Sequence, residues 1–71
     1  MPKIYTPKEV IKKIKKLGFV EDRQSGSHKI FYHTETKDRA VVPYHLKELP
    51  KGTLNAILKE ANILREDFNN T

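Results

Sequence analysis

The 71-residue chain contains no cysteine, which excludes a disulfide framework, a thiolate zinc site and a cysteine nucleophile. Its apolar runs extend over only a few residues, so neither a transmembrane helix nor a secretory signal is expected. Apolar residues are scarce as well, at 37% of the chain, against about 45–50% in typical globular domains. This length supplies one small core, not a multidomain enzyme with its own cofactor-binding half. The expectation is a small, reduced, cytoplasmic protein forming one domain over residues 1–71.

Charge is the more informative quantity. Fourteen Lys and Arg against nine Asp and Glu leave a net +5, and the isoelectric point is near 9.6. Residues 1–37 hold nine bases and four acids, whereas residues 38–71 hold five of each. The whole excess therefore lies in the first half, a one-sided arrangement that suits a polyanionic partner. A net charge of this size also serves solubility alone.

Thr6-Pro7-Lys8-Glu9 has the form of a capping box, with Pro at the first helical position. Val10, Ile11, Ile14 and Leu17 then recur at helical spacing, and Gly18 supplies a left-handed stop. Lys8, Lys12, Lys15 and Lys16 fall opposite that stripe, with Lys13 on its flank. Such a ridge either tracks phosphates or is merely solvated. Three strands follow: Phe19 to Gln24, His28 to His33 and Arg39 to Pro43, separated by Ser25-Gly26-Ser27 and by Thr34 to Asp38. The middle strand is ambiguous, because His28, Ile30 and Tyr32 share one face while Lys29, Phe31 and His33 share the other. Whether Phe31 or Tyr32 is free to stack a base stays open.

Leu54, Ile57, Leu58 and Ala61 mark a second helix starting near Gly52-Thr53, which Asn62 can close in a left-handed cap. Leu64 to Phe68 suggests one more turn, and Asn69-Asn70-Thr71 is expected to fray. The fold class is α+β: a three-stranded antiparallel sheet with two helices on one face, the other face free for a partner.

The reactive candidates are the three histidines. His28 follows a Gly-Ser turn at the start of a strand, where its ring can project from the sheet rim. Arg23 and Lys29 are close in sequence, so a phosphate docked by both cations would lie within reach of the imidazole. Ser27 can donate a hydrogen bond to a phosphate oxygen. A neutral imidazole can take the proton of an RNA 2′-hydroxyl while cations stabilise the charge developing on phosphorus. The plain alternative is an exposed strand histidine. His33 and His45 show no metal-ligand spacing with His28, and no carboxylate motif accompanies them. Neither a serine nucleophile elbow nor a P-loop is present, and no cofactor is expected.

In sequence order come Lys16-Leu17-Gly18-Phe19, Arg23-Gln24-Ser25-Gly26-Ser27-His28, Val42-Pro43-Tyr44-His45, Lys47-Glu48-Leu49, Gly52-Thr53-Leu54, Ile57-Leu58-Lys59 and Glu66-Asp67-Phe68. This succession, over about Tyr5 to Phe68, resembles the HicA family of toxins, the mRNA interferases of HicAB toxin–antitoxin systems. The resemblance implies a double-stranded-RNA-binding-domain-like fold of α-β-β-β-α order. It implies an endoribonuclease that cuts mRNA and is neutralised by a HicB antitoxin. The family's catalytic histidine corresponds to His28, presented by Gly26 and Ser27; His45 receives no catalytic role. The RNA contacts expected beside it are Lys8, Lys12, Lys15, Lys16, Arg23, Gly26, Ser27 and Lys29.

Overall fold

The computed structural model describes residues 4–71. Its elements run α1 (Pro7–Lys16), β1 (Phe19–Ser25), β2 (His28–His33), β3 (Arg39–Pro43), α2 (Lys51–Glu60) and α3 (Arg65–Asn69). The strands form one antiparallel sheet in the order β1-β2-β3. This is the α+β arrangement expected from the sequence.

Both ends of α1 are fixed by the residues that announce them. The Thr6 hydroxyl accepts from the Glu9 amide at 3.2 Å, and the Glu9 carboxylate accepts from the Thr6 amide at 2.9 Å. These bonds satisfy two amides that a helix start leaves unpaired. Gly18 ends the segment at φ +104°, a conformation that costs a side-chain-bearing residue dearly. Asn62 closes α2 in the same way at φ +55°. The start of α2 lies at Lys51, slightly earlier than Gly52-Thr53, and Pro50 before it makes no side-chain cap.

Phe19, Phe31, Ala40 and Val42 share one sheet face and meet Val10 and Ile14 of α1 and Leu54, Ile57 and Leu58 of α2. The two helices therefore cover the same face, and burying these side chains supplies the main driving force for folding. The face of β2 left open by the sequence is settled: Phe31 is fully buried in this core, while Tyr32 is 38% exposed on the opposite side. Ile30 is also buried, on Tyr32's face and apart from the main core. Two adjacent buried positions explain why the strand shows no clean alternation.

The C-terminal residues are held rather than frayed. The Lys13 ammonium donates to the carbonyls of Phe68 at 3.0 Å and Thr71 at 3.2 Å. It also lies over the Tyr5 and Phe68 rings, which meet edge to face at 5.2 Å. A half-buried cation from α1 thus replaces the water those carbonyls would otherwise need. No helix among the described residues is long and apolar enough to cross a membrane.

Candidate active site

The β1–β2 connection is the pair Gly26-Ser27, closing between the cross-strand partners Ser25 and His28. Gly26 adopts φ +59°, and its carbonyl accepts from the Gln24 side chain at 3.0 Å. This tight turn places His28 at the first position of β2, exposed on the sheet rim. Across the sheet His28 pairs with Pro43, the last residue of β3. The next amide, that of Tyr44, donates to the Ser27 carbonyl at 2.7 Å. The turn after β3 is therefore tied to the turn before β2, and it carries His45 beside His28. The two rings meet edge-on, with centroids 5.9 Å apart and planes inclined at 67°.

Sequence spacing leaves His45 in a loop without a role. Its position follows from the His28–Pro43 pairing, which sets residues just beyond Pro43 against the Ser27–His28 corner. The signal that would have found it is the hairpin register, which short-range patterns do not determine.

The expected cations distribute unevenly around this corner. Arg23 pairs with Ile30 and so lies on the same face as His28, at the diagonal cross-strand spacing of about 7–8 Å. Its only ion pair is a loose one to Asp22 at 3.9 Å, with most of the side chain in water, which leaves the guanidinium available among the described residues. Lys29 pairs with Val42 on the opposite, core-side face, and its ammonium lies 4.3 Å from the Tyr44 ring centroid. Arg23 and Lys29 therefore do not converge on one phosphate. Adjacent strand residues point to opposite faces, so neighbours on either side of the turn diverge.

Lys8, Lys12, Lys15 and Lys16 are all exposed on α1. Lys8 lies nearest the His28 end, lining a groove with Thr6, Tyr44, Leu46 and Lys47. Lys16 is roughly 12 Å further along the helix axis, towards the far end of β2, where Leu17 meets His33. The ridge thus leads away from the His28 corner rather than surrounding it.

His33 belongs to the framework. Its Nδ1 accepts from the amides of Glu35 at 3.1 Å and Thr36 at 3.2 Å. Amides only donate, so Nδ1 carries no proton and Nε2–H donates to the Leu17 carbonyl at 3.1 Å. Nearby, Asn62 donates to Asp38 at 2.8 Å. That bond, with a hydrogen bond to Thr36, holds the Asp38 carboxyl below the usual carboxylate range. Among the described residues no three His, Cys, Asp or Glu side chains are grouped to hold a metal ion. Between β3 and α2, His28, Val41 and Pro43 line a groove with Thr53, Ala56 and Glu60 of α2.

Two exposed imidazoles side by side, that of His28 without a hydrogen bond to its ring nitrogens among the described residues, can move protons at a bound phosphodiester, and a guanidinium on the same face can offset its negative charge. No curated protein matches the chain. The model of the HicA toxin family of bacterial toxin–antitoxin systems matches residues 7–63. That span runs from the first residue of α1 past the end of α2 and takes in Gly26, Ser27, His28 and His45. With most of its length and the whole His28 corner inside the match, the chain belongs to the HicA toxin family.

Proposed function

We propose that this toxin is a metal-independent endoribonuclease that cleaves mRNA, with His28 as general base, and that a HicB-like antitoxin neutralises it in the cytoplasm. One observation carries the reading: an imidazole held at the sheet rim by a two-residue turn, exposed to solvent and on the same face as Arg23. Membership of a toxin family of ribonucleases supports the nuclease class. The reaction uses the RNA's own 2′-hydroxyl, whose proton passes to His28 as the oxygen bonds to phosphorus. Arg23 stabilises the charge growing on the non-bridging oxygens, and the Ser27 hydroxyl donates to one of them. Lys8, Lys12, Lys15 and Lys16 hold the flanking backbone, and the antitoxin covers the His28 corner.

The test is incubation of the purified protein with end-labelled mRNA, with and without the antitoxin. Internal cuts ending in 2′,3′-cyclic phosphate and 5′-hydroxyl groups, suppressed by the antitoxin, are expected. RNA bound in a salt-sensitive manner but left uncut would sink the nuclease reading and leave a non-catalytic RNA-binding module. Tight antitoxin binding with cleavage undiminished would contradict the covering of His28.

A further inference from the structure

The reaction described above asks one imidazole to act alone, yet strand cleavage by a 2′-hydroxyl poses two proton-transfer problems. One proton must leave the 2′-oxygen as it attacks. Another must reach the 5′-oxygen as its bond to phosphorus breaks, or a poor alkoxide leaving group departs.

We propose that His45 is a second catalytic residue, the general acid that protonates the departing 5′-oxygen. The assignment rests on the ribonuclease reading and deepens it. Three observations carry it. The His28 and His45 rings lie 5.9 Å apart between centroids, so a phosphodiester on the rim can reach both, each within a hydrogen-bond distance of about 3 Å. Both rings are set by the same ladder, through the His28–Pro43 pair and the Tyr44–Ser27 bond of 2.7 Å. The separation of the two residues along the rim is therefore a property of the backbone. Finally, both side chains are exposed, and no protein hydrogen bond occupies a nitrogen of either ring among the described residues. His33 is the internal contrast, since backbone groups engage both of its nitrogens.

The step balances. The 2′-oxygen gives its proton to neutral His28 and forms a new bond to phosphorus. The bond from phosphorus to the 5′-oxygen breaks, and its electron pair takes a proton from the His45 imidazolium. A 2′,3′-cyclic phosphate and a 5′-hydroxyl result, with His28 protonated and His45 neutral; exchange with water resets both. Glu60 of α2 shares a groove with His28 and Arg23 of β1 lies on its face, while Lys29 of β2 and, in the adjoining groove, Lys8 and Lys47 lie beside Tyr44, the neighbour of His45.

The decisive experiment uses two RNAs that share a mapped cut site. One has the natural 5′-oxygen at the cut bond and the other a bridging 5′-sulfur, which departs as a thiolate without needing a proton. The wild-type protein is expected to cut both. His45→Ala is expected to lose roughly 10²–10⁴-fold on the oxygen substrate and to regain most of that loss on the sulfur substrate. His28→Ala should be slow on both. His45→Gln, which keeps a polar side chain at the turn, should show the same split as His45→Ala, with circular dichroism reporting the fold of each variant. Wild-type rates for His45→Ala on the oxygen substrate, or equal losses on both substrates, overturn the general-acid role and leave the ribonuclease reading standing. Failure of both His45 variants to fold makes the ring structural and overturns the role as well. Wild-type protein that cuts neither RNA overturns the ribonuclease reading, and this assignment with it.

Discussion

The amide of Tyr44 and the carbonyl of Ser27 are joined by a 2.7 Å hydrogen bond, immediately beyond the last β2–β3 pair. This bond extends the strand ladder into two turns that would otherwise move independently. From the other side, the Lys29 ammonium lies over the Tyr44 ring, a contact worth about 0.5–1 kcal/mol at an exposed site. The corner bearing His28 and His45 is thus braced by backbone and side chain together. Lys29 contributes to that brace whether or not it also meets RNA.

Hydrolysis through the RNA's own 2′-hydroxyl needs no divalent ion. Cleavage should therefore persist in excess chelator, while DNA and RNA carrying a 2′-O-methyl at the cut site should resist. Activity abolished by chelator and restored by added Mg²⁺ would remove this mechanism.

The α1 ridge is tested by salt. Each phosphate contact on a single strand contributes about 0.7 to the slope of log affinity against log salt. If all four of Lys8, Lys12, Lys15 and Lys16 meet phosphates, their joint replacement by Gln should lower the slope by roughly 2.8. The loss should be nearly equal for all RNA sequences, because phosphate contacts carry no base information. Lys13 is the control from the same helix: its ammonium is engaged by Phe68 and Thr71, so Lys13→Gln should cost stability and leave the slope intact. An unchanged slope in the quadruple variant would return the ridge to plain solvation.

Features fixed by neighbours in the chain were legible beforehand. The Thr6–Glu9 capping box, the Gly18 stop, β2 and β3 to the residue, and the Asn62 cap all arise within a few positions. Features that depend on distant partners were not. Ile30 and Phe31 are both buried, so binary alternation cannot say which faces the helices. Thr71 is held by Lys13, 58 residues away, and the local polarity of Asn69 and Asn70 pointed to fraying. The pairing of His28 with His45 depends on which residue of β3 stands opposite the start of β2. Of the site, the turn and His28 could be read in advance, whereas its second imidazole and the divergence of Arg23 from Lys29 needed the register.

Gly18 is required twice over. At φ +104° an L-residue is strained, and an added Cβ would lie 2.5 Å from His33 Nε2. Gly18→Ala should cost at least about 1–2 kcal/mol for the backbone conformation alone. In a His33→Ala background the same substitution should cost less, because the ring it meets is gone. Urea denaturation of the four-member cycle measures this; equal costs in both backgrounds would show that the ring yields freely.

Asp38 gives the stability a pH dependence on the acid side. Its carboxyl is held low chiefly by the Asn62 hydrogen bond, so the unfolded chain binds the proton more readily. The resulting stabilisation is full above the ordinary carboxylate range and disappears as pH falls through the lowered folded value. Asn62→Ala should flatten this part of the acid limb in urea melts across pH. A limb of unchanged steepness would show that other groups set it.

The imidazole of His28 decides between enzyme and binder. His28→Ala removes an exposed ring from the sheet rim, so stability should change by no more than the ~0.5 kcal/mol usual at surface sites. A general base contributes about 10²–10⁴-fold, and cleavage should fall by at least the lower figure. Growth arrest should weaken in parallel, because toxicity depends on turnover. RNA affinity should survive under the proposed reading, in which Arg23 and the α1 lysines carry most of the electrostatic attraction. Circular dichroism and thermal melting separate lost chemistry from a lost fold. A folded His28→Ala protein that cuts RNA at the parent rate would end His28's role as base, and the proton would have to be taken by another group at this corner.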